Sequence, residues 1–466
     1  MCQRILTCVS FATRGVTPSI GKTREALEEA APRWSFRAVA TPAETATPLA
    51  PVVLPPGSRP RLLALLFGMN LINFVDRVNI TIVAPVILAD LGWERATLGT
   101  VMSATLLGYA AGQIPSGLLI DRFGAFWILA SMCAAWSLAT ALTPPVFEWF
   151  GVLLVVRFLL GLFESVNNPG QTAINTRAFA PDELARAQGL CFAGTQVGPL
   201  LASPLIAWLV TLFHWSWIFY GCAVLGFVWV VAWILFAPRV PSAPREAHAA
   251  HVSSQTNAWD LIRTRPILAL AGAGLFWGYS MWLFVAWFPT YLLEAWGLSM
   301  QQMGWVNTIP TFGGIAALLL GGVIADRLVQ RGMPEGTARK RLACFGLLGS
   351  GSCIFIAALA PNGYVAIAFF TLNGLIQGLA VAPLFSLPAV LAPHATATVA
   401  ATVNFCMALG GVVSPYLAGF LRDRTGDWLA PLATAGFGVF AAGLIILLLV
   451  RVEPIAARRM PNPQPT

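Results

Sequence analysis

The sequence predicts an all-α membrane protein of twelve transmembrane helices in two six-helix pseudo-repeat bundles, with both termini cytoplasmic. Three observations predict it. Of the 466 residues, 57% are apolar and only 10% are charged. A soluble domain carries about 25% charged residues, so the solvent for this surface is lipid. Twelve apolar stretches follow one another, each long enough to cross about 30 Å of hydrocarbon as a helix. The two halves of the chain also echo each other. Gly117-Leu-Leu-Ile-Asp121-Arg122 follows the second stretch, and Gly322-Val-Ile-Ala-Asp326-Arg327 follows the eighth. Such repeats are common in secondary transporters, with the substrate site between them near the midplane.

The elements follow in order. Residues 1–57 are a polar leader rich in Pro, Ala and Thr. It has no long apolar core behind a basic start, so it reads as disordered rather than as a signal peptide. The spans are placed at 62–88, 98–120, 126–143, 147–170, 187–211, 216–237, 266–293, 303–325, 342–360, 363–388, 397–421 and 428–450. This gives an N-terminal bundle over 58–237, a cytoplasmic linker over 238–265, a C-terminal bundle over 266–450 and a cytoplasmic tail over 451–466. Lys and Arg fix the orientation. With the N-terminus inside, the inner loops hold a long series from Arg59 and Arg61 to Arg458 and Arg459. The outer loops hold only Arg95, Arg422 and Arg424.

Several function classes are excluded or disfavoured. The net charge of +8 is spread over short loops rather than clustered with aromatics, which argues against nucleic acid. The eight cysteines form no Cys-x-x-Cys and mostly lie in apolar runs, as small apolar fillers. The four histidines lack metal-ligand spacing, and no phosphate-binding loop for ATP is present. No nucleophile–base set suggests an enzyme, and no cofactor is expected. The loop and tail are too short for a receptor's signalling domain.

The informative groups are charges inside the spans. Asp76 and Arg77 lie in the first span, within Asn73-Phe-Val-Asp-Arg-Val-Asn79. Arg157 and Glu164 lie in the fourth, seven residues apart and so on one helix face. A charge at mid-membrane costs several kcal/mol, about 2.5–3.5 on the mildest scale, so each must face protein or water and find partners. Asp76 and Arg77 are adjacent, so at most one of them looks straight into a central cavity. We assign Arg77 and Arg157 to anion binding, because a guanidinium keeps its charge and grips a carboxylate through parallel bonds. Asp76 and Glu164 are assigned to proton coupling. With both acids ionised the four groups sum to zero. Each proton then adds one positive charge, which a bound anion offsets. The alternative is a set of fixed salt bridges joining spans 1 and 4.

Polar side chains elsewhere in the spans are candidates for the lining: Tyr109, Gln113 and Gln196 in the N-terminal half, and Asn307, Asn373, Gln377, Ser386 and Asn404 in the C-terminal half. Interhelical hydrogen bonding is the alternative for each. Of the aromatics crowding span 7, Trp277, Tyr279, Trp282 and Trp287, those near the ends read as interfacial belts, and one near the middle is a candidate to stack on a flat ring substrate. Asp121–Arg122 and Asp326–Arg327, at inner helix ends, are gating candidates, with ordinary topology-setting charge as the alternative.

Gly108–Gly124, ending Gly-Leu-Leu-Ile-Asp-Arg-Phe-Gly, resembles the loop 2–3 signature of the major facilitator superfamily. Asn73-Phe-Val-Asp-Arg77, Arg157-Phe-Leu-Leu-Gly-Leu-Phe-Glu164 with Asn167-Asn-Pro-Gly170, Trp287-Phe-Pro-Thr-Tyr291 and Ala408-Leu-Gly-Gly411 resemble its anion:cation symporter family. The resemblance runs from Arg61 to Val450. It implies a multi-pass protein of the inner (plasma) membrane that takes up a small organic anion together with protons by alternating access. Sugar acids, tartrate-like acids and aromatic acids are within its range. A monomer in the lipid bilayer is expected. Two departures stand out. Several sugar-acid members carry Tyr at the position of Phe74, and members often carry a second Asn at the position of Ala408. Both lean this chain toward a less polar carboxylate. A proton-driven exporter of drugs or metabolites and a facilitative uniporter are the rival readings. The two intramembrane arginines tell against the exporter.

Overall fold

A computed structural model describes residues 54, 57–179, 181–240, 261–392 and 396–452. The leader, most of the linker and most of the tail fall outside these residues. Among the described residues the regular structure is entirely helical: fourteen α-helices and one 3₁₀ turn, Pro144–Val146. The first seven are α1 (Ser58–Leu91), α2 (Arg95–Phe123), α3 (Ala125–Leu142), α4 (Phe150–Glu164), α5 (Asn167–Ala178), α6 (Pro181–Leu209) and α7 (Ser216–Phe236). The second seven are α8 (Arg265–Trp296), α9 (Met300–Val306), α10 (Thr308–Gln330), α11 (Glu335–Ala358), α12 (Gly363–Leu391), α13 (Thr396–Thr425) and α14 (Leu429–Leu449).

Eleven of the helical stretches are long and apolar enough to cross a membrane. The chain is a multi-pass membrane protein. Two of the expected spans are broken: α4 and α5 form one crossing interrupted at Ser165–Val166, and α9 and α10 another, interrupted at Asn307. Helix α2 is 29 residues long but is not among the eleven. Its Thr, Ser, Gly, Gln and Tyr residues lower its hydropathy. Some of these residues face the interior cavity rather than lipid.

The halves are built alike. Helix α1 is long, contains Pro85 and stops at Gly92, whose φ of 61° is left-handed. Helix α8 is long, contains Pro289 and stops at Gly297, again at φ 61°. A left-handed residue ends a helix at little cost only when it lacks a Cβ. Close packing repeats as well. Helices α2 and α4 meet through Gly108 and Gly161, where a Cβ on either would lie 2.8 Å from backbone of the other helix. Helices α8 and α13 meet in the same way through Gly278 and Gly410. Where lipid competes equally for apolar surface, small residues permit the close backbone approach that holds helices together.

Contact between the halves runs through α1 with α8, α2 with α13, and α6 with α9 and α10. At the end carrying residues 92–94 the junction is ionic. Arg95, at the start of α2, donates to Glu294 of α8 at 2.7 Å and to Asp423 of α13 at 3.2 Å. Arg422 and the Trp428 indole also donate to Glu294, at 3.2 and 3.1 Å. The backbone N–H of Ala96 donates to Asp423 at 2.8 Å. At the opposite end Asp121, Arg122, Asp326 and Arg327 are all exposed.

Candidate functional site

Between the halves lies a cavity whose non-atom space, open solvent included, is about 460 Å³. Helix α1 contributes Arg77, Ile80 and Thr81, α2 contributes Met102, Thr105, Leu106 and Tyr109, and α4 contributes Arg157, Leu160 and Glu164. The second half contributes Trp282, Val285 and Ala286 of α8 and Pro415 of α13. Three of the four intramembrane charges therefore line one space, and they do so by helical geometry. Arg157 and Glu164 share a face of α4 two turns apart, and Arg77 faces them from α1.

The three are unevenly satisfied. The Arg77 Nε donates to Glu164 Oε2 at 2.9 Å, with both side chains almost wholly buried. The Arg77 guanidinium also sits 4.1 Å from the ring centre of Tyr109 and 5.1 Å from that of Phe74. Trp282 reaches it from the other half at 5.9 Å. Rings around a cation stabilise it through their quadrupoles and keep water off it. Arg157 is 2% exposed and donates through Nε to Thr105 at 3.0 Å, but its Nη1 has no partner. Glu164 is 1% exposed, and its Oε1 has none either. An unpaired buried charged group is costly. Arg157 thus brings to the cavity wall a guanidinium with one buried nitrogen unpaired.

Asp76 is placed elsewhere. It does not line the cavity. It is 2% exposed and is held inside the first half by Thr140 of α3, which donates to Oδ2 at 2.6 Å, and by Asn79, which donates to Oδ1 at 2.8 Å. Arg157 lies within electrostatic reach of both Asp76 and Glu164. A single guanidinium thus connects the enclosed acid to the cavity acid.

Of the other sequence candidates, Tyr109 lines the cavity, and its hydroxyl accepts from Asn168 at 3.3 Å. Gln196, Ser386 and Asn404 are not on its wall. Gln196 is half-buried in α6, Asn404 is exposed, and the Ser386 hydroxyl donates to the Pro383 carbonyl at 2.7 Å. Gln113 and Gln377 are also off the wall. Asn307 donates to Ser203 across the halves at 2.9 Å, and Asn373 accepts from Ser350 at 2.5 Å. Asp121 and Arg122 lie in the last turn of α2, well past its cavity residue Tyr109, and Asp326 and Arg327 lie near the end of α10, which supplies no cavity residue. Sequence reasoning passed over Thr105 and Thr140, the hydroxyls that hold Arg157 and Asp76. A lone Thr in an apolar span carries no signal until its partner is known.

The family model of the Major Facilitator Superfamily matches residues 66–415 and 279–464. The chain belongs to the major facilitator superfamily. Its superfamily relatives include a "Probable sulfoacetate transporter" of Cupriavidus necator, 28% identical over 85% of this chain and 95% of the relative. The hexuronate transporter of Bacillus subtilis is 27% identical over 83% of this chain and 93% of its own length. The D-galactonate transporter of Escherichia coli is 27% identical over 86% and 98%. These organic-acid carriers agree with the resemblance to the anion:cation symporters. Among solved structures, a D-xylose-proton symporter superposes with a TM-score of 0.68 at 14% identity, over 84% of this chain and 98% of the other. A bacterial homologue of the lysosomal transporter Spinster gives 0.65 at 17%, over 84% and 95%. Both share the major facilitator fold. The protein is a membrane transporter and not an enzyme.

Proposed function

We propose that this protein carries a small organic anion across the inner membrane together with protons, by alternating access. One observation carries the reading: a buried guanidinium, Arg157, lines the central cavity with its Nη1 unpaired. The anion's headgroup accepts from that nitrogen. Arg77 is held in reserve by Glu164. A proton on Glu164 removes its negative charge, weakens its hold on Arg77 and frees a second guanidinium for the same headgroup. Burial penalises ionised Glu164 while Arg77 favours it, and this balance lets the site load and release a proton. The charge count supports symport. Arg77, Arg157, Glu164 and Asp76 sum to zero, and one proton with one monoanion returns the sum to zero.

Asp76 serves as a second acid that tunes Arg157 from behind the cavity. The relatives' substrates, sulfoacetate, hexuronate and galactonate by name, share an acid group, which is the part of the substrate that Arg157 addresses. The ionic junction at Arg95 closes one end of the path, while the charged ends at Asp121 and Asp326 stand exposed at the other. In this reading the carrier has twelve crossings and both termini in the cytoplasm, and it alternates between closure at the Arg95 end and closure at the Asp121 and Asp326 end. The test is uptake of labelled D-galactonate, sulfoacetate and benzenesulfonate into proteoliposomes with an imposed inside-alkaline gradient. The reading requires accumulation of at least one of them that a protonophore abolishes. Uptake that persists unchanged after the protonophore supports a uniporter instead.

A further inference from the structure

The wall of the cavity is divided by chemistry. The first half supplies every charge. The second half supplies Trp282, Val285, Ala286 and Pro415, whose side chains are all carbon apart from the indole nitrogen. The one donor among these side chains, the Trp282 indole N–H, lies on an edge packed over Gly411, where a Cβ would stand 2.8 Å from that nitrogen. The ring face is thereby left for the cavity and for Arg77.

The three hydroxyls on the wall all belong to the first half, beside the charges, and each has one bond within the protein: Thr81 donates to the Val78 carbonyl at 2.8 Å, Thr105 accepts from Arg157 at 3.0 Å, and Tyr109 accepts from Asn168 at 3.3 Å. The side-chain amides suited to binding sugar hydroxyls are off the wall or paired elsewhere, as Asn373 is with Ser350. Phe74 faces the same Arg77 guanidinium with a bare ring.

From this we infer that the transported anion has a carboxylate or sulfonate headgroup on an apolar, hydroxyl-poor body, and that Trp282, Val285, Ala286 and Pro415 select against polyhydroxylated acids. The inference rests on the proposed anion-carrier reading and narrows it. The headgroup docks on Arg157 and Arg77. The body lies against the indole face and the aliphatic wall, where burial of apolar surface favours it. A sugar acid brings hydroxyls along its whole body, and those lying against the second half's side of the wall find no side-chain partner there. Each hydroxyl stripped of water without a partner lowers affinity by about tenfold.

The test is titration calorimetry on the purified full chain at acidic pH with benzoate, benzenesulfonate, D-galactonate and D-glucuronate. Benzoate or benzenesulfonate is expected to bind more than about tenfold tighter than either sugar acid, and the better of the two identifies the headgroup. Ala286→Ser is expected to narrow that ratio, as is Phe74→Tyr. Tighter binding of D-galactonate or D-glucuronate by the wild-type protein overturns the inference and leaves the anion-carrier reading standing. Absence of binding by all four also overturns the inference, while the anion-carrier reading falls only if gradient-driven accumulation of sulfoacetate fails as well.

Discussion

At the scale of single residues, the site depends on which buried charges are paired and which are left open. Glu164 commits one oxygen to Arg77 and leaves the other free, while Arg157 commits one nitrogen to Thr105 and leaves Nη1 free. In the proposed mechanism these open valences are where a proton and an anion enter. Asp76 is closed by comparison, with an oxygen each for Thr140 and Asn79. Replacing Thr140 by Val removes one of those bonds from a buried carboxylate. It should lower stability by about 1–3 kcal/mol, seen as a lower melting temperature in detergent, whereas Thr140→Ser should stay near wild type. The charged residues were legible in the sequence because charge inside an apolar span needs explaining. Their partners were not, because a Thr at position 105 or 140 reads like any small residue of a span. The C-terminal candidates Ser386 and Asn404 show the converse. A polar residue marks a span as interesting, but side-chain direction depends on helix rotation, which one sequence does not give.

At the scale of elements, the glycines set how near the charged helices stand. Gly108 and Gly161 bring α2 and α4 together, which places Thr105 beside Arg157 and Tyr109 beside Arg77. A Cβ at Gly108 would meet the Phe158 carbonyl carbon at 2.8 Å and the Leu162 nitrogen at 3.0 Å. Backbone on both sides has little room to yield. Gly108→Val should therefore force the helices apart and cost about 1–3 kcal/mol, read as a fall in melting temperature with a parallel loss of anion affinity. Replacement of Gly117, which has open space around it, should leave the melting temperature unchanged. The twelve apolar stretches gave the span positions because membrane thickness imposes a length. The breaks at Ser165–Val166 and Asn307 escaped that reasoning, since a short interruption leaves hydropathy almost unaltered.

At the scale of the whole molecule, transport requires the halves to part at one end as they close at the other. The ionic junction closing one end places Arg95 between Glu294 and Asp423, with Arg422 and Trp428 also on Glu294. Arg95→Gln removes the cation contributed by the first half. It should shift the population toward opening at that end. Spin labels at Glu94→Cys and Gln301→Cys, in a cysteine-free background, should report a longer or broader distance in the variant than in its parent. The duplication that frames this motion was visible in the paired Asp-Arg turns, whereas the junction was not, because its members are far apart in sequence. The central claim is that protonation of Glu164 converts the cavity into an anion site. Its most direct measurement is accumulation of labelled benzenesulfonate in proteoliposomes under an inside-alkaline gradient, wild type against Glu164→Gln. The account predicts concentration above equilibrium by the wild type and entry without concentration by the variant, whose neutral amide holds the site in its loaded charge state. Equal gradient-driven accumulation by both would contradict it.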